Sequence, residues 1–193
     1  MNDTYSLYKL AESTVCMMKW DDCVYFYSVL LQRDDIPEDL LAGAWHGYGD
    51  CLEKVKRKEE SIMAYEKALE YHIRDSIKME KAGSYLWGSW AALKLNKPDL
   101  AYEMIKKSLD IDPDYAYSWL TLSVIATKLK KIDEAKMARE KYKNIVEIKP
   151  YKNRVCEGLE MLNSIINNLE GEIKERAEKI LKNTWCKEND IEK

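Results

Sequence analysis

His46 and Asp50 stand four residues apart, so on a helix an imidazole and a carboxylate share one face and have the geometry of an acid–base couple. The same spacing is that of an ordinary surface ion pair. The second histidine, His72, has no evident partner. The sequence contains no glycine-rich phosphate loop, no nucleophile elbow and no HExxH. Carboxylates are abundant, but they follow turns and exposed faces and form no isolated pair. The expectation is therefore a protein that is not an enzyme, with no catalytic residues. The five cysteines, Cys16, Cys23, Cys51, Cys156 and Cys186, are odd in number and form no CxxC. With only two histidines beside them, a zinc site is not expected, nor any other metal or cofactor. They read as reduced, mostly buried thiols of a cytoplasmic protein.

Composition narrows the elements able to position such residues. The 193 residues are 46% hydrophobic and 34% charged, with 7 Gly and 4 Pro, which excludes a disordered chain and a turn-rich β-sandwich. Aromatic content is skewed, with 13 Tyr and 6 Trp beside 1 Phe. Basic and acidic residues number 31 and 34, so no global basic field calls for nucleic acid. The first twenty residues carry Asp3 and Glu12 and do not read as a signal peptide. No window approaches the roughly 18 apolar residues of a membrane span.

Apolar residues recur with helical spacing. Trp45, Tyr48, Leu52 and Val55 share a face, as do Trp119, Leu122, Ala126 and Leu129. Breaks at 34–39, 54–60, 72–76, 96–99, 110–114, 130–134 and 148–152 leave helices of roughly 12–18 residues, which predicts helical hairpins packed side by side.

The hairpins also resemble one another. Ala101 and Ala135 are 34 residues apart, as are Tyr85 and Trp119. The second hairpin reads Trp45, Tyr48-Gly49, Leu52, Ser61, Tyr65, Ala68-Leu69. The third reads Tyr85, Gly88-Ser89, Ala92, Ala101, Ile105, Ser108-Leu109, Pro113. The fourth has Trp119, Leu122-Ser123, Ala126 and Ala135, with Arg139 where an aromatic is expected. The first is degenerate: Leu7, Leu10-Ala11, Thr14, Cys23, Tyr27, Leu30-Leu31. This pattern resembles the tetratricopeptide repeat over residues 4–149. The resemblance implies an all-α fold, a right-handed superhelical array of antiparallel helix pairs, with hairpins at about 4–37, 42–75, 82–115 and 116–149. Four extra residues at 38–41 and six at 76–81 stretch two joints. Pro37 suits the start of a lengthened helix, and Asp75 or Ser76 suits the cap of one running to about Asn96.

Val155, Leu159, Leu162, Ile166 and Leu169 then form a stripe, followed by Ile173, Ala177, Ile180, Leu181 and Trp185. Residues 150–185 are expected to be a pair of capping helices that closes the last open face of the stack, with 186–193 a charged tail. The 155–169 stripe would also suit a dimer seam, although two heptads are short for one, so the chain reads as a monomer or homodimer.

In the family, the first helix of each hairpin lines a concave surface that grips a peptide or helix of a partner. That implies a groove carrying Tyr8, Glu12, His46 and Asp50, exposed at its N-terminal part, then Leu86, Trp90, Tyr117 and Leu120. An acidic, aromatic surface favours a protein or peptide partner with basic and apolar side chains. Chaperone-binding members hold a terminal carboxylate with Lys, Asn and Arg. The matching positions here, Tyr8, Glu12, Gly47, Gly83 and Trp87, offer no cation and argue against that clamp. A basic edge of turns, including Lys56, Arg57 and Lys130, opposes an acidic edge including Asp110, Asp112 and Asp114. Helix dipoles account for both edges. The alternative readings are an RNA or polyanion module acting through the basic edge, and an accessory subunit of an enzyme complex.

Overall fold

In the computed structural model, which describes residues 3–146 and 154–184, the described chain is helical throughout its regular structure and contains no strand. The helices are α1 (Thr4–Cys16), α2 (Trp20–Leu31), α3 (Glu38–Lys54), α4 (Lys58–Met79), α5 (Ala82–Lys94), α6 (Pro98–Ile111), α7 (Ala116–Lys128), α8 (Ile132–Val146), α9 (Arg154–Ile165) and α10 (Gly171–Asn183). They fall into two compact units, Met1–Ser61 with Tyr151–Lys193, and Ile62–Pro150.

Four hairpins are turned in one way. Met18, Lys56, Asn96 and Lys130 each sit in the left-handed region, at φ 55°, 65°, 56° and 60°. The next residue donates its N–H back across the helix end: Lys19 to the Thr14 carbonyl, Arg57 to Leu52 and Lys97 to Ala92, each at 2.9 Å, and Lys131 to Ala126 at 2.8 Å. That bond satisfies a carbonyl which the helix leaves unpaired. The four left-handed residues are 38, 40 and 34 positions apart, so the excess of four and of six lies between turns and lengthens helices. The lengthening differs from expectation at one joint. Asp75 and Ser76 do not start a helix; they are buried inside the 22-residue α4, which runs on to Met79, and α5 starts only at Ala82.

In the second unit, α5 packs on α6, α6 on α7 and α7 on α8. The contact faces carry short side chains, with Ser89, Ala92, Ala101, Ser108, Ser123, Ala126, Ala135 and Ala138 all buried. Short side chains let helix axes approach and let neighbouring ridges interlock. The serines keep their hydroxyls satisfied locally, Ser89 donating to the Leu86 carbonyl at 2.6 Å and Ser123 to Leu120 at 2.7 Å. Ser108 is different: it donates 2.8 Å to the Ala82 carbonyl and lies 2.7 Å from the Ser118 hydroxyl. One buried hydroxyl on α6 thereby ties the first turn of α5 to the first turn of α7. On the α6–α8 side, Tyr102 donates to Glu134 at 2.9 Å while the Lys131 ammonium sits 3.4 Å from the Tyr102 ring centre.

In the first unit, α1 packs on α2, α2 on α3, and α9 on α1. The C-terminal helix α9 therefore covers the leading face of the first hairpin. Its partner face is the buried row Ser6, Leu10, Ser13 and Met17. Leu162 and Leu169 of the stripe, with Ile165, are buried in return and serve the chain's own core. Gly158 sits where a Cβ would lie 2.7 Å from the Ser13 carbonyl oxygen and 2.8 Å from Met17 Cγ. α10 is held to α2 by Arg176, which pairs with Asp22 and stacks 4.2 Å from the Tyr25 ring centre.

The cysteines also depart from expectation. Cys23 on α2 and Cys51 on α3 are joined by a disulfide, with Cα atoms 6.0 Å apart and both residues fully buried. Cys156 is disulfide-bonded as well, whereas Cys16 is free. Adjacent helices bring paired positions together in a way that sequence separation does not disclose, and a 6.0 Å Cα spacing suits the bond.

Two substitutions test these contacts. Gly158→Ala should lower stability by about 1–3 kcal/mol in urea unfolding, because backbone overlap outweighs the ~1 kcal/mol that alanine normally contributes to a helix. Lys130→Gly should raise it by about 0.5–1 kcal/mol by relieving a left-handed Cβ at an exposed turn.

Candidate functional site

One face each of α5 and α7 carries large side chains that are partly exposed. On α5, Gly83, Trp87 and Trp90 lie at spacings of four and three and share a face; on α7, Tyr117, Leu120 and Val124 do the same. Trp87 is 48% exposed, Tyr117 55% and Val124 38%, with Trp90 and Leu120 half-buried between them. The two helices adjoin. Tyr115 bridges their first turns: its hydroxyl would lie 3.9 Å from a Cβ at Gly83, and its ring meets that of Tyr117 edge to face at 6.5 Å. Rings of this size lose few rotamers when a ligand covers them.

Leu86 does not belong to this face. It is 1% exposed and forms core. It sits about 60–80° around the helix from the middle of the exposed arc. Trp87, in contrast, was not among the expected ligand residues. Its signal is its place three positions before Trp90 and four after Gly83.

In the first unit, Tyr8 and Glu12 on α1 meet Tyr27 on α2 and the glycines of α3. Tyr8 and Tyr27 rings are edge to face at 6.5 Å. The Tyr8 hydroxyl rests where a Cβ of Gly43 would be, and the Tyr27 hydroxyl where a Cβ of Gly47 would be. Glycine at both positions is what lets two phenol rings reach the α3 backbone. Burial pushes the Tyr8 phenol above its ordinary range, and Glu12, hydrogen-bonded to it, adds to the rise. Burial likewise raises the Glu12 carboxyl, offset in part by the Tyr8 hydrogen bond and by Lys9. Tyr27, wholly enclosed, is raised by burial first and then by Tyr8, Glu12 and Asp50.

His46 also differs from expectation. It is 6% exposed, so it is a core imidazole and not a surface group. Its Nε2 lies 3.9 Å from the half-buried Asp50 carboxylate, beyond hydrogen-bond range. Periodicity places His46 correctly on one side of α3 with Asp50, but α3 is flanked on more sides than a hydropathy pattern resolves. Among the described residues no three His, Cys, Asp or Glu side chains converge as metal ligands would, and no helix is long and apolar enough to cross a membrane.

Several cations of the basic edge are engaged within the chain. Arg57 forms a two-point pair with Glu60, Lys54 sits 5.7 Å over Trp20, Lys94 5.6 Å over Tyr65, and Lys131 lies on Tyr102. A cleft of about 500 Å³ in the first unit is lined by both signs of charge, including Lys19, Asp22, Glu175 and Lys179.

Comparison with known proteins bears on both faces. Residues 42–71 and 82–115 match the tetratricopeptide repeat family model. No curated protein matches the chain at a significant level. Among solved structures, the chain is similar to TTC0263, a thermophilic TPR protein of Thermus thermophilus, at 14% identity and TM-score 0.58, covering 93% of this chain and 99% of that one. It is similar to YrrB, described as a TPR protein with an unusual peptide-binding site, at 18% identity and TM-score 0.50, over 92% and 93%. A MamA double mutant of strain RS-1 matches at 15% identity and TM-score 0.51, over 79% and 80%. At these identities the likeness is one of fold.

The raised Glu12 carboxyl has a sign that can be checked. The folded state binds its proton more tightly than the unfolded state does, so this group's contribution to stability falls as pH rises through the carboxylate range. Glu12→Gln should therefore melt at an equal or higher temperature than the parent at pH 7. Its melting temperature should also decline less between about pH 4 and pH 7.

Proposed function

From the premise that this chain carries tetratricopeptide repeats, we propose that it is a non-enzymatic scaffold or adaptor binding a peptide or helix of another protein through the inner faces of its repeats. The observation that carries the reading is the pair Trp87 and Tyr117, 48% and 55% exposed on adjoining helices beside half-buried Trp90 and Leu120. Apolar surface of this kind, gathered on one face, is where partners bury area.

Tyr8, Glu12 and Asp50 form the second proposed contact surface, where two carboxylates beside phenol rings favour basic side chains on the partner. The lack of a cation at Tyr8, Glu12, Gly47, Gly83 and Trp87 supports a ligand other than a terminal carboxylate. YrrB supplies a precedent of the same fold for binding peptide at an atypical place, by its own description.

Affinity capture from a lysate, followed by mass spectrometry, tests the reading. Trp90→Ala with Tyr117→Ala should lose the captured partner set, with at least a tenfold fall in recovery, while circular dichroism and melting stay near the parent's. Retention of the whole set by the double variant would sink the assignment.

A further inference from the structure

We infer that the α5/α7 face takes an amphipathic helix of the partner, lying lengthwise, basic at one end and acidic at the other. The inference rests on the reading of that face as a binding surface and adds what the occupant must look like. α5 and α7 each precede an antiparallel partner, and α6 lies between them, so they run parallel. Each has 13 residues, and at 1.5 Å per residue the face is about 20 Å long.

Its two ends carry opposite charge. Where α5 and α7 begin, exposed Asp110, Asp112 and Asp114 end α6 and enter α7; the Ser108 contacts to Ala82 and Ser118 hold that junction together. Where the two helices end, Lys97, Lys128 and Lys130 are exposed. Helix termini contribute only about half a unit charge each. Exposed Lys81 offsets part of the acidic end and exposed Asp99 and Asp133 part of the basic end, which leaves an excess of carboxylates at one end and of ammonium groups at the other.

Between the charged ends the inner positions hold rings, Leu120 and Val124, and no strand edge to which an extended peptide could add. A helix satisfies its own backbone, and its ridges can enter the trough between two parallel helices. Charge complementarity then asks for Lys or Arg beside Asp110 and Asp114, and Glu or Asp beside Lys128 and Lys130.

The probes are two synthetic helical peptides of one composition and one apolar face. One has its basic and acidic residues in separate end blocks, the other has them interleaved. Titration calorimetry should show the block peptide binding about tenfold more tightly, with helicity gained on binding. Asp110→Lys with Asp114→Lys should weaken it about tenfold. Adding Lys128→Glu and Lys130→Glu to that variant should restore affinity, because the peptide can then lie in the opposite direction. Equal affinity of the two peptides, no binding of the block peptide at about 1 mM, or failure of the fourfold variant to recover would overturn the inference. If capture by the intact protein still depends on Trp90 and Tyr117 in that event, only the helix and its polarity are wrong. If it does not, the binding face itself is wrong.

Discussion

Two helices cross closely only where the side chains between them are short, and every feature of this protein follows from where that condition is met. Within the hairpins, Ala11, Gly49, Ser89 and Ser123 recur on the first helices, with Cys23, Ser61, Ala101 and Ala135 on the second helices, and all are buried. Close approach at these points leaves wider gaps on either side. Large side chains fill the inward gaps, and some of them stay partly open to solvent. The exposed Trp87 and Tyr117 are thus a by-product of the same geometry that buries Leu86 and Leu122. Buried Leu86 and exposed Trp87 are separated by less than a third of a helical turn.

The two units use the spare polar capacity of this geometry differently. In the second, the Ser108 hydroxyl reaches two neighbouring helices and fixes the relation of α5 to α7, and so the spacing of the inner face. In the first, glycines at 43 and 47 admit the Tyr8 and Tyr27 hydroxyls to the α3 backbone, which places a raised carboxyl, Glu12, against a phenol. A carboxyl whose proton is held more tightly in the folded state contributes less to stability as pH rises toward neutral.

Much of this was legible in the residues, and the failures have a common cause. The offsets of four and six between hairpins were visible as departures from the repeat spacing, and they reappear as the 38- and 40-residue intervals between left-handed turns. Tyr117, Leu120 and Val124 were legible as one stripe of α7 because three residues at helical spacing suffice to define one. His46 and Leu86 were misplaced because periodicity shows that a helix has two apolar arcs without showing which neighbour covers each. The Cys23–Cys51 bond and the docking of α9 on α1 were hidden for a related reason. Both join faces that are separately ordinary, and complementarity between distant faces leaves no local mark. Gly158 was the available clue, since a glycine inside an apolar helical stripe signals a close neighbour.

The contact between Gly158 and Ser13 spans most of the chain, and it bears on how the protein is made. Repeat arrays ordinarily settle one hairpin after another as the chain emerges, since each needs only the neighbour before it. Here the first hairpin offers a face that includes Ser13 and Met17 to a helix synthesised after the whole second unit. Until that helix arrives the face is bare apolar surface, open to association with other nascent chains. The second unit, lying in sequence wholly between the two parts of the first, can be complete before the first unit closes around its own C-terminal helix.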